Sequence, residues 1–366
     1  MLKVIDVGNS KYFTHTAKKI KYNKIIIYKK KFNQMFKNKS ILVTGGTGSF
    51  GKYFVNNILN KYFKHIKKIA VYSRDELKQT EMQNEISKDK LKKIRFFIGD
   101  IRDSNRLNRA LEDIDIVIHA AALKQVPIAE YNPFEFIKTN ILGAQNLVEA
   151  CLNNSVKNVI ALSTDKAVAP TNLYGATKLA SDKIFTSANL IKGKRDIKFT
   201  IVRYGNVFAS RGSVVPVLLK QVNSKTFTIT HNLMTRFSIT LEEAADMVMW
   251  AINNNIGGEI LVPKLPSYRI LDLAKSINSK CKIKIIGLRP GEKIHEELIS
   301  KSDSYNTFNL NNYYSIVEQG HLKTLSFYKK KKYKKVPENF SFNSFDNKNF
   351  LTISKLKKLI NNFKLY

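Results

Sequence analysis

From Ser40 onward, short runs rich in Val and Ile alternate with amphipathic stretches of helical length, and this alternation limits what the chain can become. SILVTGG precedes FGKYFVNNILNKYF; IAVYS precedes DELKQTEMQNEI; IRFFIGD precedes SNRLNRALED; IVIHAAA precedes FEFIKTNILGAQNLVEACL. NVIALST, a helix over 174–188 and FTIVRYGNV continue the series. Strands separated by crossover helices pair in parallel and are covered on both faces, so the pattern predicts an α/β fold with a Rossmann-type doubly wound parallel sheet. Beyond about Val207 the alternation breaks into loops (ASRGSVVP, NLMTRF, GLRPGEKIHEE) and short helices such as LEEAADMVMWAIN. We therefore expect a sheet domain over 35–207 and a smaller α/β lobe with the C-terminal segment over 208–366. Residues 1–34 are Lys- and Tyr-rich, with one apolar triplet at 25–27 and no sustained apolar core of a secretory signal. They are expected to be a dispensable extension, with Met35 as the functional start.

With 366 residues, 43% of them hydrophobic, the chain can bury one substantial core or two modest ones. No apolar run approaches the roughly 18 residues that span a bilayer, which points away from a membrane-embedded protein. Two cysteines, Cys151 and Cys281, and six scattered histidines form no metal-ligand pattern, which fits a reducing, cytoplasmic setting without a structural metal. The net charge of +33 reflects lysines spread along the whole chain without an aromatic-interleaved basic motif. It is therefore read as compositional bias, not as a nucleic-acid surface. The run at 329–335, broken only by Tyr333, reads as a solvated loop.

TGGTGSFG, residues 44–51, joins the first strand to the first helix. Gly45, Gly48 and Gly51 permit a tight turn and close backbone approach; Thr47, Ser49 and Phe50 complete a helix start suited to a pyrophosphate. After the second strand come Ser73, Arg74, Asp75, Glu76, Leu77 and Lys78, where an arginine can pair with a ribose 2′-phosphate. This favours NADP over NAD; the bland reading is a surface arginine paired with Asp75 or Glu76. Asp100 and Ile101 close the third strand, where a carboxylate can accept from an adenine amino group. Ala121 follows the fourth strand among small residues that leave room for the cofactor, and Thr139 completes the candidate cofactor set. Tyr174 and Lys178 lie one helical turn apart and share a face, as a tyrosine base and its stabilising ammonium must. That ammonium is expected to lower the Tyr174 pKa. Thr164, at the end of the preceding strand, can hold a substrate hydroxyl.

The motifs ILVTGGTGSFGK, YSRDELKQ, IGDIRD, VIHAAALKQVPIAEYNP, ALSTDKA, LYGATKLASDK, VRYGNVFASRGSVVP, MTRF and LRPGEKIHEE resemble those of the extended short-chain dehydrogenase/reductases. Among these, the chain is most similar to the inverting UDP-N-acetylglucosamine 4,6-dehydratases of pseudaminic acid biosynthesis, from about Met35 to near the C-terminus. The resemblance implies an NADP-dependent nucleotide-sugar lyase that oxidises carbon 4 of the sugar. Oxidation acidifies the carbon 5 proton, water is eliminated, and the hydride returns to carbon 6. It assigns Lys166 as the base at carbon 5 and as a candidate for re-protonating it from the opposite face, and Asp165 as the acid for the 6-hydroxyl. A lysine used as a base must be partly neutral, so burial and neighbouring cations are expected to depress its pKa. Lys124 matches a family lysine near the nicotinamide and substrate.

For the UDP-sugar, the resemblance gives Arg236 and Arg289 to the diphosphate, Glu292 to the ribose, and Asn206 to the sugar or first phosphate, with Arg211 and Ser213 in the following loop. His295 is read as an ordinary helix residue outside the site. Gln125 stands where the closest relatives carry His, and Lys-Gln is more typical of nucleotide-sugar epimerases of the same branch. A UDP-N-acetylhexosamine epimerase is thus the second enzyme reading, and a non-catalytic NADP-binding sensor the third. Family members assemble as homo-oligomers, often hexamers.

Overall fold

A computed structural model describes residues 33–210, 212–224 and 226–362, so the expectations for most of the extension and for Arg211 lie outside the described residues. Six strands follow the predicted alternation: β1 (Ser40–Thr44), β2 (Lys68–Ser73), β3 (Ile94–Ile98), β4 (Ile116–His119), β5 (Asn158–Thr164) and β6 (Lys198–Tyr204). They pair in parallel in the order β6-β5-β4-β1-β2-β3. The sequence reverses direction between β1 and β4, the switch point at which open α/β sheets bind ligands outside the carboxyl ends of their strands. The register sets Thr44 beside Tyr72 and His119, and Thr164 beside Tyr204. The residues proposed for chemistry therefore share one edge.

The remaining strands are β7 (Asn206–Val207), β8 (Thr226–Ile229), β9 (Thr235–Ile239), β10 (Glu259–Pro263), β11 (Ser267–Arg269), β12 (Lys282–Ile285), β13 (Glu297–Ile299), β14 (Thr307–Leu310), β15 (Tyr313–Val317) and β16 (Phe342–Asn343). Three of them extend the main sheet: β10 pairs in parallel with β6, and β15 and β14 follow as antiparallel strands. The helix Leu241–Asn254, closed at its start by a Thr240/Glu243 capping box, packs its apolar face on this sheet. The chain after Val207 is thus shared between the large core and a smaller one. The smaller core gathers Phe208, Leu218, Phe227, Met234, Tyr268, Leu273 and Leu356 under the short sheets β11-β9-β7 and β12-β8. No helix among the described residues is long and apolar enough to cross a membrane.

A buried ion pair fastens the main sheet to the helix that covers it. Arg203 on β6 reaches Asp182 on the helix Leu173–Ile191 at 3.2 Å, and Ser163 on β5 donates to the same carboxylate oxygen at 2.8 Å. Arg203 also donates to the Leu298 carbonyl on β13 at 3.3 Å. Both side chains are almost wholly buried, so removing one partner strands a charge in a low-dielectric interior. Arg203→Met should lower stability by about 3–5 kcal/mol in urea unfolding, whereas the doubly neutral Arg203→Met/Asp182→Leu variant should recover much of it. A single variant as stable as the parent chain would contradict this account.

Candidate active site

One cleft of about 1070 Å³ runs along the carboxyl edge of the sheet and under the smaller lobe. The first turn of the helix Ser49–Lys61 opens into it. Its N-cap residue, Gly48, has no side chain to bond the first-turn amides, so their N–H groups face the cleft. Gly45 has φ +64°, and a Cβ there would stand 2.8 Å from the Ala121 nitrogen; only glycine lets this turn lie against the end of β4. These features fit a pyrophosphate, whose charge the helix terminus favours. Thr47, Ser49, Phe50 and Gly51 line the same end, with Ser73, Arg74, Asp75 and Lys78 beside them and Asp100, Ile101, Ala121, Lys124 and Thr139 further along. Glu76 and Leu77 do not line it: they open the next helix, whose N-cap is Asp75, and Leu77 is two-thirds exposed.

Arg74 is half exposed, 3.6 Å from Asp100. Asp100 is itself gripped by Arg102 at 3.0 and 2.7 Å, so the closer partner leaves the Arg74 guanidinium only a long contact. Asp75 caps its helix and contacts Lys78.

The helix Leu173–Ile191 begins at Asn172, whose side chain accepts from Gly175 N and donates to the Gly291 carbonyl at 2.8 Å. Gly175 is required here, since a Cβ would fall 2.2 Å from the Lys166 carbonyl oxygen. This contact brings Tyr174 against the end of β5. Tyr174 is buried and hydrogen-bonded to Thr164, and Lys178 donates to the Leu162 carbonyl at 2.9 Å. Burial raises the Tyr174 pKa to about 12 despite the opposing Lys166 charge and the Thr164 bond. The expected lowering by Lys178 is therefore not found. Lys178 is itself held below the usual lysine range by burial, with Asp182 opposing. Beneath them, His119 bonds Thr44 at 2.8 Å and is pushed down to about 3 by burial and by Lys178, so it stays neutral.

Beyond Tyr174, Lys166 Nζ lies 3.0 Å from Asp165 Oδ1 and 3.2 Å from Glu296 Oε1. Burial alone would lower the lysine, but the two carboxylates outweigh it and raise its pKa. This reverses the sequence expectation of a depressed Lys166, because Glu296 comes from a distant loop. Asp165 has no exposed surface, and burial together with Glu296 raises its pKa against the pull of Lys166. All three line the cleft, and Lys166 is the most exposed of them, its side chain about one-fifth accessible. Lys124 is held below the usual lysine range by burial and by the Lys166 charge.

Asn206, Ser213, Arg289 and Glu292 line the substrate half of the cleft. Arg289 is exposed there, and its amide donates to Glu292 at 3.2 Å. Arg236 also lines the cleft, but it is buried and donates to the carbonyls of Thr235, Ile294 and Lys293, all within 2.9 Å. His295 lies in a loop before β13, not on a helix; its Nδ1 meets Thr235 Oγ1 at 2.8 Å and its ring packs on Phe345. Among the described residues, eight buried side-chain polar atoms lack a partner, and five belong to this wall: Thr139 Oγ1, Asp165 Oδ2, Asn206 Oδ1, Ser213 Oγ and Glu296 Oε2. Unpaired polar atoms cost stability when buried, so their concentration here marks a place built for a polar ligand.

Two residues escaped the sequence reading. Glu296 carried no local signal beyond an acidic pair. Asn140 sits in a π-helical turn, Ile137–Leu142, of a type common at functional sites. Its side chain accepts from Leu123 N and donates to Leu123 O, each at 2.9 Å, and donates to Thr177 at 3.1 Å. It thereby fastens the Lys124 loop to the Tyr174 helix. Nothing in the surrounding IKTNIL set this asparagine apart from its polar neighbours Lys138 and Thr139.

Residues 41–318 match the model of a family described as polysaccharide biosynthesis protein. The chain is 48% identical over 339 residues to the UDP-N-acetylglucosamine 4,6-dehydratase (inverting) of Campylobacter jejuni serotype O:2, covering 89% of this chain and 98% of that protein. It is 44% identical over 292 residues to the UDP-glucose 4-epimerase of Rickettsia bellii, covering 78% and 85%. Among solved structures it resembles Pen from Bacillus thuringiensis with a TM-score of 0.81 and 37% identity, over 90% of this chain and 100% of that one. The fold alone is shared with DesIV, a dTDP-glucose 4,6-dehydratase from Streptomyces venezuelae, at a TM-score of 0.61 and 19% identity over 69% and 86%. The glycine turn, the Tyr174/Lys178 pair and these likenesses place the chain in the polysaccharide biosynthesis protein family, among the extended short-chain dehydrogenase/reductases and with the inverting nucleotide-sugar 4,6-dehydratases.

Proposed function

We propose that the chain is an NADP-dependent UDP-N-acetylglucosamine 4,6-dehydratase that inverts carbon 5, acting in a route to pseudaminic acid or related surface sugars. The observation that carries this reading is the Asp165–Lys166–Glu296 cluster set against Tyr174, because oxidation of an alcohol alone needs no second acid and base. The glycine turn and the helix Ser49–Lys61 would hold a nicotinamide dinucleotide, which would supply reversible hydride acceptance. Tyr174, bonded to Thr164, is placed to take the proton of the 4-hydroxyl. Lys166, raised in pKa, must shed its proton to act as a base, and Asp165 Oδ1 receives it at 3.0 Å. Burial favours the protonated acid, so this transfer leaves a neutral amine facing the sugar. The amine takes the carbon 5 proton and delivers a proton to the departing 6-hydroxyl. Asp165, having no exposed surface, acts as acid through Lys166. Asn206, Ser213 and Arg289 would receive the sugar and diphosphate, and Glu292 the ribose.

The epimerase reading draws support from the Rickettsia relatives and from Gln125, but it leaves the acid–base cluster without a task. Lys166→Ala should retain bound cofactor and lose formation of the 4-keto-6-deoxy product from UDP-N-acetylglucosamine by about 10²-fold or more, followed by NMR. Unimpaired turnover would refute the role. The preference for NADP rests on Arg74, exposed beside Lys78 at the end of β2. Arg74→Ala should weaken NADP binding about tenfold relative to NAD in fluorescence titrations, the loss of one charge-assisted contact. An unchanged ratio of the two affinities would leave NAD as the cofactor.

A further inference from the structure

We infer that Glu296 is a positioning residue for this reaction: its fixed carboxylate orients Lys166 and sets the pH range over which the Asp165–Lys166 pair can exchange a proton. The inference rests on the reading of Lys166 as the base.

Glu296 is built in rather than merely adjacent. It is 3% exposed, and its backbone is clamped in both directions by Ser344. Glu296 N donates to Ser344 Oγ at 2.9 Å, and Ser344 N donates to Glu296 O at 2.8 Å. Ser344 Oγ is in turn 2.7 Å from Thr235 Oγ1 on β9. The side chain therefore has a fixed origin in the smaller lobe. From there Oε1 stands 3.2 Å from Lys166 Nζ and 3.7 Å from Arg236 Nε, while Oε2 has no partner.

Two carboxylates, Asp165 and Glu296, thus flank one ammonium in a largely buried space. They are not equivalent. Glu296 also meets Arg236 and the charge of Lys293, which hold it ionised in spite of burial. Asp165 has only Lys166 and the Thr164 hydroxyl. A proton moving off Lys166 must therefore settle on Asp165, and Glu296 decides the direction of transfer by remaining charged. The other groups facing Lys166 are Arg236, Lys124, Tyr174 and Tyr268. None of these supplies a second negative charge at neutral pH. Glu296 further holds Lys166 across the boundary between the sheet and the smaller lobe, so the amine's direction in the cleft depends on both.

Removing the Glu296 charge favours loss of protons from both neighbours, so the pKa values of Lys166 and Asp165 both fall. The test measures the pH dependence of kcat with UDP-N-acetylglucosamine for the wild-type chain, Glu296→Gln and Glu296→Asp, with bound cofactor and melting temperature recorded for each. The bell-shaped profile of Glu296→Gln should move to lower pH by about one unit or more, because an opposite charge at this distance shifts a partner by about that amount. Glu296→Asp, whose carboxylate is withdrawn from Lys166, should move it in the same direction by less, and carries the test if the glutamine variant does not fold. A folded variant whose rate falls while its profile superimposes on the wild type would overturn the inference, since a purely structural role changes the height and not the position. A wild-type chain with no dehydratase activity at any pH would instead sink the reading of function, and this inference with it.

Discussion

A buried ammonium has to be paired, and in this molecule the pairing of Lys166 joins the two halves of the chain. Asp165 reaches it from the end of β5, while Glu296 reaches it from the loop before β13 in the smaller lobe. Arg236, on β9, braces Glu296 and spends its other N–H groups on the backbone of the same loop. Electrostatics at this point therefore does structural and chemical work together. It links the end of β5 to the 292–296 loop, and it gathers two carboxylates around one amine. The cost of desolvating three charges is offset only if each finds good partners, which explains the dense hydrogen bonding around Thr235, Ser344 and the 292–296 loop.

The parallel sheet makes this convergence possible. All of its parallel strands end on one side, so the glycine turn, Thr164 and Tyr204 face the same cleft without any long-range search by loops. The helix Leu173–Ile191 then fixes Tyr174 and Lys178 by three local devices: the Asn172 cap, the bare Gly175 contact with Lys166, and the Asp182–Arg203 pair at its middle. Against this rigid frame the unpaired oxygens of Thr139, Asn206 and Ser213 stand out as groups held ready for a polar partner.

Much of the frame was legible in the sequence. The six parallel strands, the glycine turn and the Tyr174/Lys178 face follow from short-range rules: Val/Ile runs, helical spacing and the conformational freedom of Gly45. What was not legible came from elsewhere in the chain. Nothing in TFNL or YYSIV announced that β14 and β15 would return to the main sheet, because their antiparallel pairing depends on β10 and not on local pattern. The expected pKa of Lys166 failed for the same reason: burial was foreseen, but Glu296, 130 residues away in sequence, was not. Tyr174 failed in the opposite sense, since its own burial raises its pKa more than the neighbouring ammonium charge lowers it. The position of His295 was misread because the 292–296 segment is held by Arg236 and Ser344 and has no helical structure.

The central claim is that an oxidised sugar loses and regains a proton at carbon 5 through Lys166. Incubation of the purified protein with UDP-N-acetylglucosamine in deuterated water, with NMR of the product, addresses it directly. The account predicts a 4-keto-6-deoxy sugar carrying solvent deuterium at carbon 5, with ring couplings that report inversion there. A product of galacto configuration that keeps its 6-hydroxyl and has no deuterium at carbon 5 would contradict it.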